Sequence, residues 1–348
     1  METFFATCAP GLESLLAGEL VALGLLKPRL LMSEDQAGGV AFEGGPAELA
    51  RACRRLAVAE RVLVVHEGGK VPWGRYGIPG GPLAVRAKVK GSKETEKSVA
   101  ARVVREAGAK AAAFDDDKPV PLAYARLDGS KYTVMVDASG APLSRRGWRL
   151  QTAKAPLRET LAAALPLAAS WDGTTPLVDP FCGSGTIAIE AALRAAGRSP
   201  HVPGRRFAFQ AWRGFDVPAA ITEHRKTPPI VASDRDAGAV AAAKANAERA
   251  GVGDRIDFSV KAVSAFEAPA GPGVLATNPP YGERVSAGKD LRDLYASFGN
   301  MARAQCAGWE LSLLAPPGPL MSSTGLSLKP TFATLNGGLS VRVWRGRV

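Results

Sequence analysis

Short apolar runs alternate with alanine-rich or amphipathic stretches through the second half of the chain. Residues 177–179 (LVD), 229–236 (PIVASDRD) and 274–282 (VLATNPPYG) each read as an apolar strand that ends in a polar or tight-turning group. Such runs suit parallel strands buried on both faces. Residues 186–192 (TIAIEAA) and 237–250 (AGAVAAAKANAERA) between them read as helices, the second closed by Gly251. A further helix is expected over 290–304, where Leu291, Leu294, Phe298 and Met301 recur at helical spacing. A strand follows at 310–314, then a hairpin of 331–335 and 339–344 around Asn336-Gly337-Gly338. Strand and helix in alternation predict an α/β, doubly wound sheet with a terminal antiparallel hairpin.

The first half is patterned differently. Residues 3–7, 30–32 and 40–43 read as short strands and 11–23 as an amphipathic helix, with a turn at Asp35-Gln36. A helix over 46–56 and a strong strand at 61–66 (RVLVVH) follow. Residues 83–90 (LAVRAKVK) alternate apolar with basic positions, so one strand face is buried and the other is positive. Residues 93–110 read as a helix with Val99, Val103 and Ala107 on its apolar stripe. Two strands flank Asp128-Gly129, LSRRGWR ends the segment, and 151–165 reads as a helix with Pro156 in its first turn. These elements predict an N-terminal α+β part of 1–45 and 46–142, a connection over 143–165 and a second domain over 166–348.

A length of 348 residues fits two domains, and 46% hydrophobic content excludes a largely disordered chain. No run is long and apolar enough for a membrane span, and the N-terminus lacks the basic start of a secretory signal. Four dispersed cysteines (Cys8, Cys53, Cys182, Cys306) read as reduced cytoplasmic thiols, with no metal site. The net charge of +11 is uneven: residues 1–50 hold 2 Lys/Arg against 7 Asp/Glu, and residues 51–150 hold 20 against 10. A basic centre points to a polyanionic partner, with nucleic acid favoured over a solvated surface. Lys88, Lys90, Lys93, Lys97, Arg102 and Arg105 are its expected platform. Arg205 and Arg206, interleaved with Phe207, Phe209 and Trp212, are read equally as a base clamp or as packing.

Three stretches carry the chemistry. DPFCGSGT supplies Asp179, Phe181, Cys182, Gly183, Ser184, Gly185 and Thr186, a strand, glycine turn and helix start that can admit a nucleotide-type cofactor. Asp234, with Arg235 beside it and Asp236 as its near competitor, ends the next strand where an acid can accept ribose hydroxyls. Asn278, Pro279, Pro280 and Tyr281 form a rigid turn. There an amide oxygen and a main-chain carbonyl can accept from an exocyclic amine, and an aromatic ring can stack on a flipped base. Cys182 has no partner base in the sequence, so a nucleophilic role is not expected of it.

With DPFCGSGTIAIEAA, ASDRDAGAVAAAKANAERAGV and NPPYGERV in view, the chain resembles the THUMP-domain class I RNA methyltransferases that make N2-methylguanosine, nearest to the bacterial 23S rRNA large-subunit type. APLRETLAAAL, RRFAFQAW, LYASFGN and LNGGLSVRVW extend the similarity over residues 143–348. The N-terminal part is similar in arrangement and basicity. The resemblance implies a Rossmann-like methyltransferase sheet behind a ferredoxin-like piece and a THUMP domain. It also implies S-adenosylmethionine held by Asp179, Gly183, Gly185 and Asp234, catalysis at Asn278 to Tyr281, and RNA docking through the THUMP region. A cytoplasmic monomer is expected. One departure is visible: relatives carry an acid where this chain has Lys261, Ala262 and Val263, which leaves backbone atoms or Ser264 for the adenine. A tRNA substrate, an adenine or glutamine amide target, and a non-catalytic RNA-binding protein remain open alternatives.

Overall fold

The computed structural model describes residues 1–30, 38–115, 120–150, 157–215, 217, 225–281 and 290–348, with backbone alone for 26–30. It divides into two compact units: Met1–Cys8, Leu16–Arg145 and Gly204–Ala220 form one, and Ala9–Leu15, Arg146–Pro203 and Ile221–Val348 form the other. Among the described residues no helix is long and apolar enough to cross a membrane.

The first unit is built on an eight-stranded sheet. Its leading strands and helices are β1 (Glu2–Thr7), α1 (Glu13–Ala22), β2 (Leu26–Leu30), β3 (Gly39–Gly44), α2 (Pro46–Arg55) and β4 (Arg61–Glu67). β1 pairs antiparallel with both β3 and β4, and β2 pairs with β3, the order of a ferredoxin-like unit. The boundary expected at residue 45 falls inside that unit, because α2 and β4 complete its βαββαβ pattern. A strand runs over Leu26–Leu30; of the strand expected at 30–32 only Leu30 is among the described residues, and the Asp35-Gln36 turn lies outside them.

The sheet continues through β5 (Pro82–Lys90), β6 (Lys110–Ala111), β7 (Leu122–Asp128) and β8 (Lys131–Asp137), in the order β2-β3-β1-β4-β8-β7-β5-β6. The helix α3 spans Glu96–Glu106, shorter than expected, because Thr95 caps it by accepting from the Ser98 amide. Val99 and Val103 of α3 are buried, and its Arg102 guanidinium lies 4.5 Å over the Tyr132 ring. Tyr132 shares a face with Leu127 and Val89 through the ladder register. α3 therefore covers the Val85, Ala87 and Val89 face of β5, while Arg86, Lys88 and Lys90 project from the opposite, open face.

The second unit holds a seven-stranded sheet in the order β11-β10-β9-β12-β13-β15-β14. Its parallel strands are β9 (Leu177–Asp179), β10 (Ile230–Asp234), β11 (Asp257–Val260), β12 (Val274–Thr277) and β13 (Glu310–Ala315). β14 (Lys329–Asn336) and β15 (Leu339–Arg347) add the antiparallel hairpin at the edge. The helices are α4 (Glu159–Ala168), α5 (Thr186–Ala195), α6 (Ala237–Ala250), α7 (Arg292–Gln305) and a short α8 (Pro319–Ser323). This is the doubly wound sheet with a terminal hairpin that the alternating pattern predicts. The helix expected over 151–165 begins later, at Glu159, and Pro156 lies outside the described residues. Leu275, Leu311 and Leu313 from the sheet pack with Tyr295, Phe298 and Met301 of α7 in a core closed to water.

The aromatic insert packs in the first unit. Trp212 stands edge-on to Tyr76 at 4.6 Å, Phe207 stacks on Phe209 at 5.6 Å, and Arg75 lies 4.4 Å over Phe215. Packing was one of its two readings, and the buried rings have taken that role.

Candidate active site

The site is assembled at the carboxyl ends of adjacent parallel strands, where a doubly wound sheet opens a crevice at its switch point. β9 lies between β10 and β12, so the chain ends of all three meet there. Asp179 ends β9 fully buried. Its Oδ1 accepts from the Phe181 amide at 3.2 Å and from the Thr277 hydroxyl at 2.6 Å. Its Oδ2 is buried with no hydrogen-bond partner among the described residues. Burial pushes the Asp179 pKa up to about 7, opposed by the Thr277 and Phe181 hydrogen bonds and aided by the charge of Asp234. A buried acceptor left unmatched costs stability unless a ligand supplies the donor.

The turn after β9 is shaped by two glycines. Gly183 (φ +51°) and Gly185 (φ +84°) both occupy the left-handed region. A Cβ on Gly185 would sit 2.9 Å from that of Ala243, so this residue also sets how closely α5 approaches α6. The Cys182 amide donates to the Ser233 carbonyl, and the Gly183 amide donates to Asp234 Oδ2 at 3.0 Å. Ser184 and Thr186 are buried at the start of α5, and Phe181 packs on Phe298 with ring centroids 5.8 Å apart. Burial drives the Cys182 thiol well above its usual range, so it stays protonated and is no nucleophile.

The two acids after β10 have separate tasks. Asp236 caps α6, its Oδ1 accepting from the Gly238 and Ala239 amides. Asp234 ends the strand half-buried and grips the glycine turn, which leaves it as the acid beside the crevice; Arg235 is exposed. Val260, opposite Asp234 in the β10–β11 register, is 53% exposed, an apolar surface at a polar crevice that the sequence did not flag. Lys261 pairs with Glu267 at 2.7 Å, and Ser264 is exposed.

The Asn-Pro-Pro-Tyr turn leaves β12 directly after Thr277. Asn278 Oδ1 is buried without a hydrogen-bond partner among the described residues. The Tyr295 hydroxyl donates to the Pro280 carbonyl at 3.4 Å, and Tyr281 is 8% exposed with its hydroxyl accepting from Asn336 Nδ2 at 2.8 Å. Thr277, Tyr295 and Asn336 are further residues of this site, and no local motif encodes their hydrogen-bond partners. Each reaches the loop from a different strand or helix. Among the described residues no group of acids, histidines and cysteines could hold a metal ion.

The expected RNA contacts do not converge on one surface. Lys88 and Lys90 lie on the open sheet face, whereas Lys93, Lys97 and Arg105 are exposed on the α3 side. Arg102 is tied to Glu94 at 3.1 Å. Arg205 donates to the Ala141 and Pro142 carbonyls at 2.8 and 3.0 Å and to that of Arg145, so it serves to anchor the insert; Arg206 is exposed.

Two family profiles match: an RlmL ferredoxin-like domain over residues 3–63 and an RMKL-like methyltransferase domain over 146–327. The ribosomal RNA large subunit methyltransferase K/L of Aliivibrio salmonicida is 33% identical over 97% of this chain and 52% of its own length. That of Chromohalobacter salexigens is 33% identical over 98% of this chain and 52% of its own. The chain thus spans about half the length of the curated relatives it matches. A solved Clostridium difficile 630 structure, described as "a possible methylase", superposes with TM-score 0.80 at 27% identity, covering 99% of this chain and 97% of that one. SMU.472, solved in complex with SAH, gives 0.80 at 26% identity over 99% and 97%. With its crevice, its Asn-Pro-Pro-Tyr turn and a profile that spans more than half its length, the chain belongs to the RMKL-like methyltransferase domain family.

Proposed function

We propose that this protein is an S-adenosylmethionine-dependent RNA methyltransferase that forms N2-methylguanosine in 23S rRNA, with the target base flipped into the Asn-Pro-Pro-Tyr pocket. The observation that carries it is the Asn278 side-chain oxygen, buried and without a hydrogen-bond partner among the described residues, just after β12. An exocyclic amine offers the two N–H donors such a site lacks.

When bound, S-adenosylmethionine supplies a methyl group already activated by its sulfonium. The chain's own residues have to hold and align. Asp179 Oδ2 is the acceptor for the donor's ammonium group, and Asp234 is the acceptor for its ribose hydroxyls. Gly183 and Gly185 keep side chains out of the path, Phe181, Cys182, Ser184 and Thr186 line the same turn, and Arg235 follows Asp234 at the end of β10. The Pro280 carbonyl already accepts from the Tyr295 hydroxyl, and the Pro279 carbonyl is assigned beside Asn278 Oδ1 as acceptor for the guanine N2 hydrogens. Those two bonds draw the nitrogen lone pair out of conjugation and fix it in line for transfer. Tyr281 supplies the ring on which the flipped base stacks.

β5 to β8 with α3 are read as the THUMP module that docks RNA. On its open face Arg86, Lys88, Lys90, Arg126 and Lys131 lie in register with Asp128, and Glu67 of β4 joins the same face opposite Thr133. On α3 and the turn before it, Lys93, Lys97, Arg102 and Arg105 are interspersed with Glu94, Glu96 and Glu106. The sheet face is therefore the stronger field for a phosphate backbone.

Mass-spectrometric nucleoside analysis of 23S rRNA and tRNA from a strain lacking the gene, beside its parent, tests this reading. Loss of N2-methylguanosine from 23S rRNA alone is expected. Loss from tRNA would reassign the substrate, and no loss in either would defeat the reading.

A further inference from the structure

The terminal hairpin ends in a two-residue turn, Gly337 (φ +57°) and Gly338 (φ +86°), with Asn336 paired to Leu339 across it. The positive φ values account for both glycines, as a type I′ turn requires them at its central positions. They do not account for Asn336, which sits at the last strand position, where asparagine is disfavoured. Its amide is used elsewhere: Nδ2 donates to the Tyr281 hydroxyl at 2.8 Å, 55 residues away in sequence.

We infer that Asn336 is a positioning residue for methyl transfer, fixing the Tyr281 ring against which the target base stacks; this rests on the functional reading above. The turn backbone is held at other points: Pro280 by the Tyr295 hydroxyl, and Thr277 by Asp179. Neither contact fixes the rotation of the Tyr281 ring about its side-chain bonds. The Asn336 amide reaches the far end of that ring, where a single hydrogen bond has the greatest leverage on the direction in which the ring points from the turn. A base stacked on a mis-set ring would present N2 off line, and small displacements from the reacting geometry are costly. Asn336 touches neither base nor methyl donor in this account. It acts only through the tyrosine hydroxyl.

The test is a double-mutant cycle on the full chain, with Asn336→Ala, Tyr281→Phe and the double variant. Radiolabelled methyl transfer is measured onto total RNA from a strain lacking the gene. Asn336→Ala is expected to lower kcat by about tenfold, the scale of one positioning hydrogen bond, with the KM for S-adenosylmethionine unchanged. In the Tyr281→Phe background the same substitution should change kcat by less than about twofold, because the hydroxyl it serves is gone. Asn336→Thr keeps strand propensity while removing the amide, and provides the same comparison if the alanine variant melts early. An undiminished kcat in either folded variant, or an equal loss with and without the Tyr281 hydroxyl, would overturn the inference while leaving the functional reading intact. A wild-type protein that labels no RNA would end both.

Discussion

The Thr277 hydroxyl donates to Asp179 Oδ1 at 2.6 Å, joining the last residue of β12 to the buried acid that ends β9. Thr277 immediately precedes Asn278, so this bond ties the start of the Asn-Pro-Pro-Tyr turn to the end of β9. It also opposes the burial that raises the Asp179 pKa.

Thr277→Val keeps the volume and removes the donor. Asp179 should then titrate above its present value of about 7, because a contact that lowers its pKa is lost. Titration calorimetry of S-adenosylmethionine against pH would show the affinity midpoint moving upward. An unmoved midpoint would remove Thr277 from this role.

Asp179 also couples cofactor binding to pH in the unaltered protein. Its ionised form is the one that receives an ammonium group, so affinity should fall as pH drops below about 7, with proton release on binding near that pH. The stability linkage has the opposite sense. A carboxyl raised from 3.8 binds more protons folded than unfolded, so the unliganded protein loses stability as pH rises from about 4 through 7. Asp179→Asn should therefore raise the melting temperature at pH 8 by a few degrees and abolish cofactor binding. A lowered melting temperature would contradict the assignment.

Asn278→Ala should reduce methyl transfer at least about a hundredfold, as for loss of a positioned polar group in a closed site, with little change in RNA affinity. Single-turnover rates and filter binding separate the two. Normal transfer by the variant would exclude Asn278 from the acceptor role.

Lys88→Glu with Lys90→Glu should weaken RNA binding and lower the slope of log affinity against log salt by about two. Lys97→Glu with Arg105→Glu should do less, since α3 and the turn before it already carry Glu94, Glu96 and Glu106. A larger effect from the helix pair would move the docking surface to that side of the sheet.

Local sequence determined the elements of this protein and the ends of its strands. The glycine turn, Asp234, the Asn-Pro-Pro-Tyr turn and the alternation of LAVRAKVK depend on residue spacing and backbone preference, which neighbouring residues settle among themselves. The same local logic left Asp234 and Asp236 as competitors. The structure separated them by what each accepts: two amides of its own helix for Asp236, and the distant Gly183 amide for Asp234. Tertiary structure alone decided that α2 and β4 complete the first βαββαβ unit, that Arg205 anchors its segment, and that the basic strand and basic helix face opposite ways. It also decided the partners of the site: Thr277 for Asp179, Tyr295 for Pro280 and Asn336 for Tyr281. Each of those bonds joins side chains and carbonyls from segments far apart in the chain. No periodicity encodes such a meeting, and only the packing of the sheet brings the atoms within reach.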